Sequence, residues 1–221
     1  MRIFSIDGGP ELARAISDRL GLEIAPLEVR RFSDGECKIR PLVNVNGEDV
    51  YVIATLASED GLSVHEKLCQ ALFLIGTLKD AMASAVTLVA PYLCYARKDQ
   101  RTKLRDPVTI RYLSVMLEAV GLDRVIAMDV HNLAAFESSF RVPTDHLSAR
   151  DTLARSLAEL VGRDPVMLLA PDFGGAKRVY GLRHVFDVLR GSDDSSFGLV
   201  VKERSRDESV SYTHLTLPTI L

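Results

Sequence analysis

Cysteine is scarce. The three thiols in 221 residues, Cys37, Cys69 and Cys94, are odd in number and far apart. That excludes a disulfide framework and a zinc-ligand pattern, and it suits a reducing compartment. Long apolar runs are missing as well: none approaches the ~18 residues that a membrane helix needs. The opening MRIFSIDGG lacks the pattern of a secretory signal. These absences read as a cytoplasmic chain with no membrane partner. A surplus of positive charge is also lacking. With 27 Lys and Arg against 30 Asp and Glu, the net charge is -3, which argues against general nucleic-acid binding. What remains, 47% hydrophobic and 26% charged residues, fits a globular protein of one large domain or two small ones.

Against that mildly acidic background one stretch is different. Val86–Ala90 is an apolar run that reads as a buried strand, ended by Pro91. The chain then turns basic: Arg97, Lys98, Arg101, Lys103, Arg105 and Arg111 are set against only Asp99 and Asp106. Asp106-Pro107 reads as the N-cap and first residue of a helix over 107–120. A hydrophobic strand thus delivers a cationic loop to one edge of a sheet, the edge at which open α/β sheets bind ligands. Arginine forks pair with phosphate oxygens in a bidentate way, so the loop suits a polyphosphate. Taken alone, it reads equally as a solvated charged loop.

Upstream, Arg2–Ile6 reads as a strand and Pro10–Leu20 as a helix closed by Gly21, with Ile24–Val29 as a second strand. Phe32-Ser33-Asp34-Gly35-Glu36 reads locally as a surface turn before a strand at Cys37–Arg40. An exposed Phe beside Asp and Glu is also able to stack on a flat base and bond its edge. Asn46-Gly47 predicts a hairpin turn returning into a strand at Val50–Ala54. A long helix is expected over Val64–Met82, with Val64, Leu68, Leu72, Ile75, Leu78 and Met82 as its stripe and His65 solvated near its start.

Downstream, Arg124–Met128 reads as a buried strand running into Asp129-Val130-His131-Asn132. A carboxylate and an imidazole at a strand's C-terminal end stand where α/β enzymes place chemistry. Asp suits Mg2+, whereas His is an unusual ligand for an ion that prefers oxygen; a capping Asp and a packed His are the equal local alternative. Phe140–Asp145 reads as a linker, and Ser148 as the cap of a helix to Val161 with Leu153, Leu157 and Leu160 inward. A strand at Val166–Ala170 leads into Pro171–Arg178, whose Gly174-Gly175 turn lets backbone N–H groups approach an anion. Gly198–Lys202 is the last expected strand. Val89-Ala90-Pro91 with Ala96-Arg97 echoes Leu169-Ala170-Pro171 with Ala176-Lys177, a faint repeat that hints at two related domains joined near Pro143.

The motifs FSDGE (Phe32–Glu36), YARKD (Tyr95–Asp99), MDVH (Met128–His131), VPTDHL (Val142–Leu147), PDFGGAKR (Pro171–Arg178) and KER (Lys202–Arg204) follow one another in order. In that order the chain resembles the ribose-phosphate pyrophosphokinase (phosphoribosyl pyrophosphate synthase) family. The resemblance implies an α/β fold of two tandem phosphoribosyltransferase-like domains with mainly parallel sheets. Residues 1–145 are expected to form the first domain and 146–209 an incomplete second. It implies transfer of the β,γ-diphosphoryl group of ATP, with Mg2+, to the anomeric hydroxyl of ribose 5-phosphate, with AMP leaving. It also implies roles by position. Phe32, Asp34 and Glu36, with Gly35 in the same loop, hold the adenine. Arg97, Lys98 and Asp99 meet the ATP phosphates and their surroundings. His131 and Asp172 match metal positions, with Asp129 beside them. Lys202 and Arg204 match the cations that stabilise the transferring group. A homo-oligomer with the ATP site shared between subunits is implied too. Lys98 stands where the family motif carries Gln, and HNLAAF over 131–136 also departs, which marks a divergent branch. Diphosphoryl transfer needs positioned cations more than covalent help, and removing one such contact commonly costs ~10²–10³ in rate.

Two other readings compete. A catalytically inactive, synthase-associated regulatory homologue has no need to keep Lys202, Arg204 and His131. A phosphoribosyltransferase has no role for FSDGE and YARKD. The chain leaves the family pattern near Asp207–Ser209, and nothing after it matches the family's paired aspartates or its Thr/Gly loop for ribose 5-phosphate. Its ending resembles the read-through of a common transposase-based library adapter, which encodes VSYTHLTLPT, so 210–221 are expected to be a non-native tail. Sequencing the source DNA past the codon for Ser209 is expected to continue into the paired aspartates and the Thr/Gly loop. A frame that ends at Leu221 in that DNA would overturn the adapter reading.

Overall fold

The structure is a computed structural model that describes residues 1–6, 10–59, 61–204 and 211–216, with backbone alone for Pro10 and from Val201 onward. Lys202 and Arg204 are therefore placed by backbone only, and the expected tail lies partly outside the described residues. The chain divides into two units, Met1–Leu147 and Ser148–Leu221.

The first unit contains β1 (Arg2–Ser5), α1 (Pro10–Leu20), β2 (Leu27–Arg31), β3 (Cys37–Pro41), β4 (Asp49–Ile53), α2 (Val64–Asp80), β5 (Ala85–Ala90), α3 (Thr109–Ala119), β6 (Arg124–Met128), α4 (Leu133–Ser139) and β7 (Thr144–Leu147). Its sheet runs β1-β4-β5-β6-β7, and every neighbouring pair is parallel. Parallel strands covered on both faces favour near-continuous apolar sequence. The central AVTLVA run of β5 obeys this, with Val86, Leu88 and Ala90 at 0% exposure. The main core joins Phe4, Val50, Val52, Leu88 and Val125 of the strands to Leu74, Ile75 and Leu78 of α2, Leu113 and Leu117 of α3 and Phe136 of α4. Ala13 of α1 packs with Ile3 and Ile53 in a separate cluster.

Several local expectations change. Asn46-Gly47 is not a hairpin turn: Gly47 does take φ +71°, but β4 leaves it to pair with β1 and β5. The hairpin is β2–β3, antiparallel from Leu27↔Pro41 to Arg31↔Cys37, with FSDGE as its tip. Ile24 makes only an isolated bridge to Ile3. The last two residues of the expected linker, Thr144 and Asp145, belong to β7, the end strand of the sheet, paired with β6 from Val125↔Thr144. Long-range pairing overrode the local turn and linker signals at these places.

Helix α2 starts at a capping box, in which the Ser63 hydroxyl accepts from Glu66 N and Glu66 returns to Ser63 N. Its buried face is less apolar than the expected stripe. Lys67 and Gln70 are buried at 0% and 1% exposure, while Met82 lies past the helix at φ +65° and is exposed. The Lys67 ammonium has no hydrogen-bond partner among the described residues, and Glu59 stands 3.8 Å away.

The second unit holds α5 (Arg150–Val161), β8 (Met167–Ala170), α6 (Phe173–Arg190), β9 (Ser196–Arg204) and β10 (Ser211–Thr216). Strand β8 pairs parallel with β9, and β10 pairs antiparallel with it. The α/β class with mainly parallel sheets is thus as expected. Ala154, Leu168 and Phe186 form the small core of this unit, with Leu157 partly buried against it. Leu153 and Leu160 are exposed rather than inward, at 55% and 82%. The N-cap position of α5 is Ala149, one residue beyond the expected Ser148, whose hydroxyl accepts from Arg150 N at 3.3 Å. No helix among the described residues is long and apolar enough to cross a membrane.

The core of the first unit makes opposite predictions for two residues of α2. Ile75→Ala is expected to cost about 2–5 kcal/mol in denaturant unfolding, by lost transfer energy and a cavity. Lys67→Met is expected to leave stability unchanged or raise it, because a poorly paired buried ammonium is replaced by an apolar chain of similar length.

Candidate active site

The parallel sheet of the first unit sends its connections out at the C-terminal ends of the strands. The loop 91–108 leaves β5, and Asp129–Asn132 leaves the adjacent β6. Both connections turn through unusual backbone. Tyr95, Arg105 and Asp129 take φ of +57°, +69° and +43°, a region in which non-glycine residues are uncommon and which clusters at functional sites.

The loop is anchored before it becomes cationic. Cys94 and Ala96 are buried at 1% and 6% exposure, and burial pushes the Cys94 thiol up to about 12, so it stays protonated and inert. The Thr109 hydroxyl donates to the Tyr95 carbonyl at 2.8 Å. Tyr95 Oη shares a 2.7 Å hydrogen bond with His65 Nδ1 on α2. Arg97 is exposed, its guanidinium 5.9 Å from the Tyr92 ring centroid.

Asp106 does not cap α3. The helix starts two residues beyond the expected Pro107, at Thr109, with Val108 as N-cap and no side-chain cap bond. Asp106 Oδ2 instead accepts from Lys98 Nζ at 2.6 Å, the Thr102 hydroxyl at 2.7 Å, Lys103 N at 2.9 Å and Thr102 N at 3.1 Å. The Lys98 ammonium foremost, then Thr102, holds this carboxyl well below the usual carboxylate range. Lys98, expected to meet a ligand, is thus turned into its own loop, while Arg101, Lys103 and Arg105 remain exposed.

Asp99 and His131 come together. Asp99 Oδ2 lies 3.4 Å from His131 Nδ1; the Asp99 side chain is 5% exposed and that of His131 51%. A nearly buried carboxylate from one loop therefore meets a half-open imidazole from the next. Asn132 Oδ1 caps α4 by accepting from Ala135 N at 3.2 Å, so the residue after His131 is fixed by the helix that follows. Among the described residues, no three or more His, Cys, Asp and Glu side chains are grouped to hold a metal ion.

The expected base-binding residues sit at the tip of β2–β3. Phe32 is 41% exposed, with the Arg30 guanidinium 5.1 Å from its ring centroid. Phe32 N donates to Glu36 O and Asp34 Oδ1 accepts from Glu36 N, while Gly35 takes φ +92°. Gly35 and Glu36 line a groove of about 500 Å³ with His65, Glu66, Cys69, Gln70 and Phe73 of α2. In the second unit, Asp172 is the N-cap of α6, accepting from Gly175 N at 2.7 Å. A Cβ on Gly175 would approach Pro171 to 3.2 Å, which explains the second glycine of that turn. Sequence reading missed His65, Tyr95 and Asp106. The first two act on partners 30 residues apart, and the third carried a local capping signal that points elsewhere.

The comparisons with known proteins agree with one another. A family model described as the N-terminal domain of ribose phosphate pyrophosphokinase matches residues 1–121. A ribose-phosphate pyrophosphokinase of Fusobacterium nucleatum is 35% identical over 188 residues, covering 85% of this chain and 58% of that protein. One of Clostridium perfringens is 37% identical over 180 residues, 80% of this chain and 55% of its own length. The crystal structure of phosphoribosylpyrophosphate synthetase from Mycobacterium smegmatis superposes with a TM-score of 0.82 at 24% identity, covering 97% of this chain and 66% of that one, a likeness of fold. The chain thus spans a little over half the length of the curated relatives it matches.

The Asp106 cluster sets a pH dependence. Its carboxyl is depressed in the folded state, so its contribution is present above the unfolded value of about 3.9 and is lost as pH falls through the lower folded value. Asp106→Asn is expected to lower the thermal midpoint at pH 6–7. The gap to the unsubstituted protein should close as pH falls from about 4 downward, which circular-dichroism melts would show.

Proposed function

Because the chain belongs to the ribose-phosphate pyrophosphokinase family, we propose that its cationic loop is the polyphosphate-binding part of an enzyme that moves the β,γ-diphosphoryl group of ATP to ribose 5-phosphate, giving phosphoribosyl pyrophosphate and AMP. The observation that carries the reading is the meeting of Asp99 and His131 at 3.4 Å, on loops from two adjacent parallel strands. Exposed Arg97, Arg101, Lys103 and Arg105 on one of those loops supply the positive charge that a triphosphate needs. In this reading Arg97 binds phosphate oxygens, and Lys98 contributes by pairing with Asp106. Phe32, Asp34, Gly35 and Glu36 take the adenine of a site shared with a second subunit. Lys202 and Arg204 stabilise the group in transfer.

Asp99, Asp129, His131 and Asp172 offer carboxylate oxygens and one imidazole. Their chemistry fits Mg2+ delivered with substrate phosphates, because that ion keeps several waters and is bound by one or two carboxylates plus phosphate oxygens. In the first unit His131 is proposed to hold it, with Asp129 two residues before it in sequence, and Asp172 keeps the metal role that the family resemblance implies for the second unit. When bound, the ion neutralises phosphate charge. The residues of the chain itself do the orienting: the Asp99 carboxylate fixes the His131 ring, and the anchored loop presents Arg97 to the phosphates.

Calorimetric titration of Mg-ATP into the protein tests the reading. Saturable binding is expected, and Arg97→Ala should weaken it about 10- to 100-fold, the range for a hydrogen bond to a charged group. Binding that is absent, or untouched by Arg97→Ala, would overturn it. The 221-residue chain alone is expected to make no AMP from ATP and ribose 5-phosphate, since no ribose 5-phosphate loop is recognisable in it. AMP that forms only when ribose 5-phosphate is added would show that expectation wrong.

A further inference from the structure

His65 is the second residue of α2 and is exposed, a position where an imidazole is ordinarily solvated. Here it is not idle. Its Nδ1 lies 2.7 Å from Tyr95 Oη, and the two ring centroids are 6.0 Å apart with planes tilted by 35°. Tyr95 stands between buried Cys94 and Ala96, with its backbone inverted at φ +57°. Its carbonyl is held separately by the Thr109 hydroxyl, which also reaches the Lys98 carbonyl at 3.4 Å. Tyr95 is therefore gripped from two helices, by its side chain from α2 and by its carbonyl from the start of α3.

We propose that His65 is a positioning residue, which through Tyr95 sets where the cationic loop begins and so where Arg97 and Asp99 stand. The chemistry is simple. A tyrosine held in the left-handed region persists only where its surroundings over-determine it, and the bond to His65 is the contact that acts on the far end of its side chain. Arg97 follows two residues later and Asp99 four residues later. An error in Tyr95 therefore moves the cation offered to a ligand and the carboxylate that meets His131. His65 also lines the groove beside Gly35 and Glu36, so one imidazole adjoins both the hairpin tip and the stem of the cationic loop. As a claim about substrate this rests on the ATP reading; as a claim about loop order it does not.

The loop carries its own reporter, since Arg97, Lys98, Arg101, Lys103 and Arg105 are trypsin sites. Cleavage at these bonds in the native 221-residue protein, followed by mass spectrometry at low protease, tracks local opening. His65→Ala and Tyr95→Phe are each expected to speed loop cleavage about three- to tenfold, the range for losing one hydrogen bond. The double variant should be no faster than either single one, because both remove the same bond. His65→Asn, whose amide oxygen falls near the place of Nδ1, should return the rate close to that of the starting protein. A purely structural role for the ring would not give this rescue. If His65→Ala fails to fold, Tyr95→Phe and His65→Asn carry the comparison, since the first keeps the ring packing and the second an acceptor near the place of Nδ1. Single variants that are cleaved at the starting rate, effects that multiply in the double variant, or an Asn variant as fast as Ala would each overturn the proposal. Mg-ATP added to the starting protein separates the two ideas. Protection with no variant effect leaves the ATP reading standing and sinks the clasp, and a variant effect without protection does the reverse.

Discussion

A parallel strand cannot return to its neighbour through a tight turn; it needs a crossover of a dozen residues or more. Five strands running one way therefore release their outgoing connections at a single edge. The buried positions of β5 and β6 make that edge rigid. Val86, Leu88, Ala90 and Val125 are fully buried, so the last residue of each strand is a fixed point from which a loop departs. Everything at the candidate site depends on this. The meeting of Asp99 with His131 is a meeting of two loops whose origins are one strand spacing apart.

A loop with so many cations would splay by self-repulsion were it not internally neutralised in part. Its two acids do different things. Asp106 collects a Lys side chain, a Thr hydroxyl and two backbone N–H groups on one oxygen, and so closes the loop on itself. Asp99 is almost wholly covered and looks across to the next loop. The remaining cations are left facing outward, where a ligand bearing several negative oxygens is the natural counterion.

Much of this was legible in the chain. The apolar run of β5, the Gly21 end of α1 and the basic character of the loop all follow from local pattern, and the ordered motifs pointed to the family that the model match over residues 1–121 shows. What was illegible has a common cause, namely partners far away in sequence. Asn46-Gly47 has the backbone of a turn, yet the strand after it answers to β1 and β5 rather than to the strand before it. Lys67 and Gln70 look like solvent-facing helix residues and are buried, because β3 packs against α2 and Glu59 of the loop before the helix reaches Lys67. Asp106 before Pro107 has the form of a helix cap, but the backbone N–H groups of Thr102 and Lys103 donate to its oxygen instead. His65 has no local signal at all; its partner is 30 residues downstream.

Lys98 occupies the place of a glutamine in the motif that the chain otherwise resembles, and its ammonium rests on Asp106. The two positions are therefore epistatic. Asp106 can exist without Lys98, since Thr102 and Lys103 already donate to it, whereas Lys98 without Asp106 would be one more repelling charge in a crowded loop. An evolutionary path into this branch runs most easily with the acid arriving first. The same order governs transplantation: moving this loop into a relative means moving both residues together, or the acid alone, and never the lysine by itself.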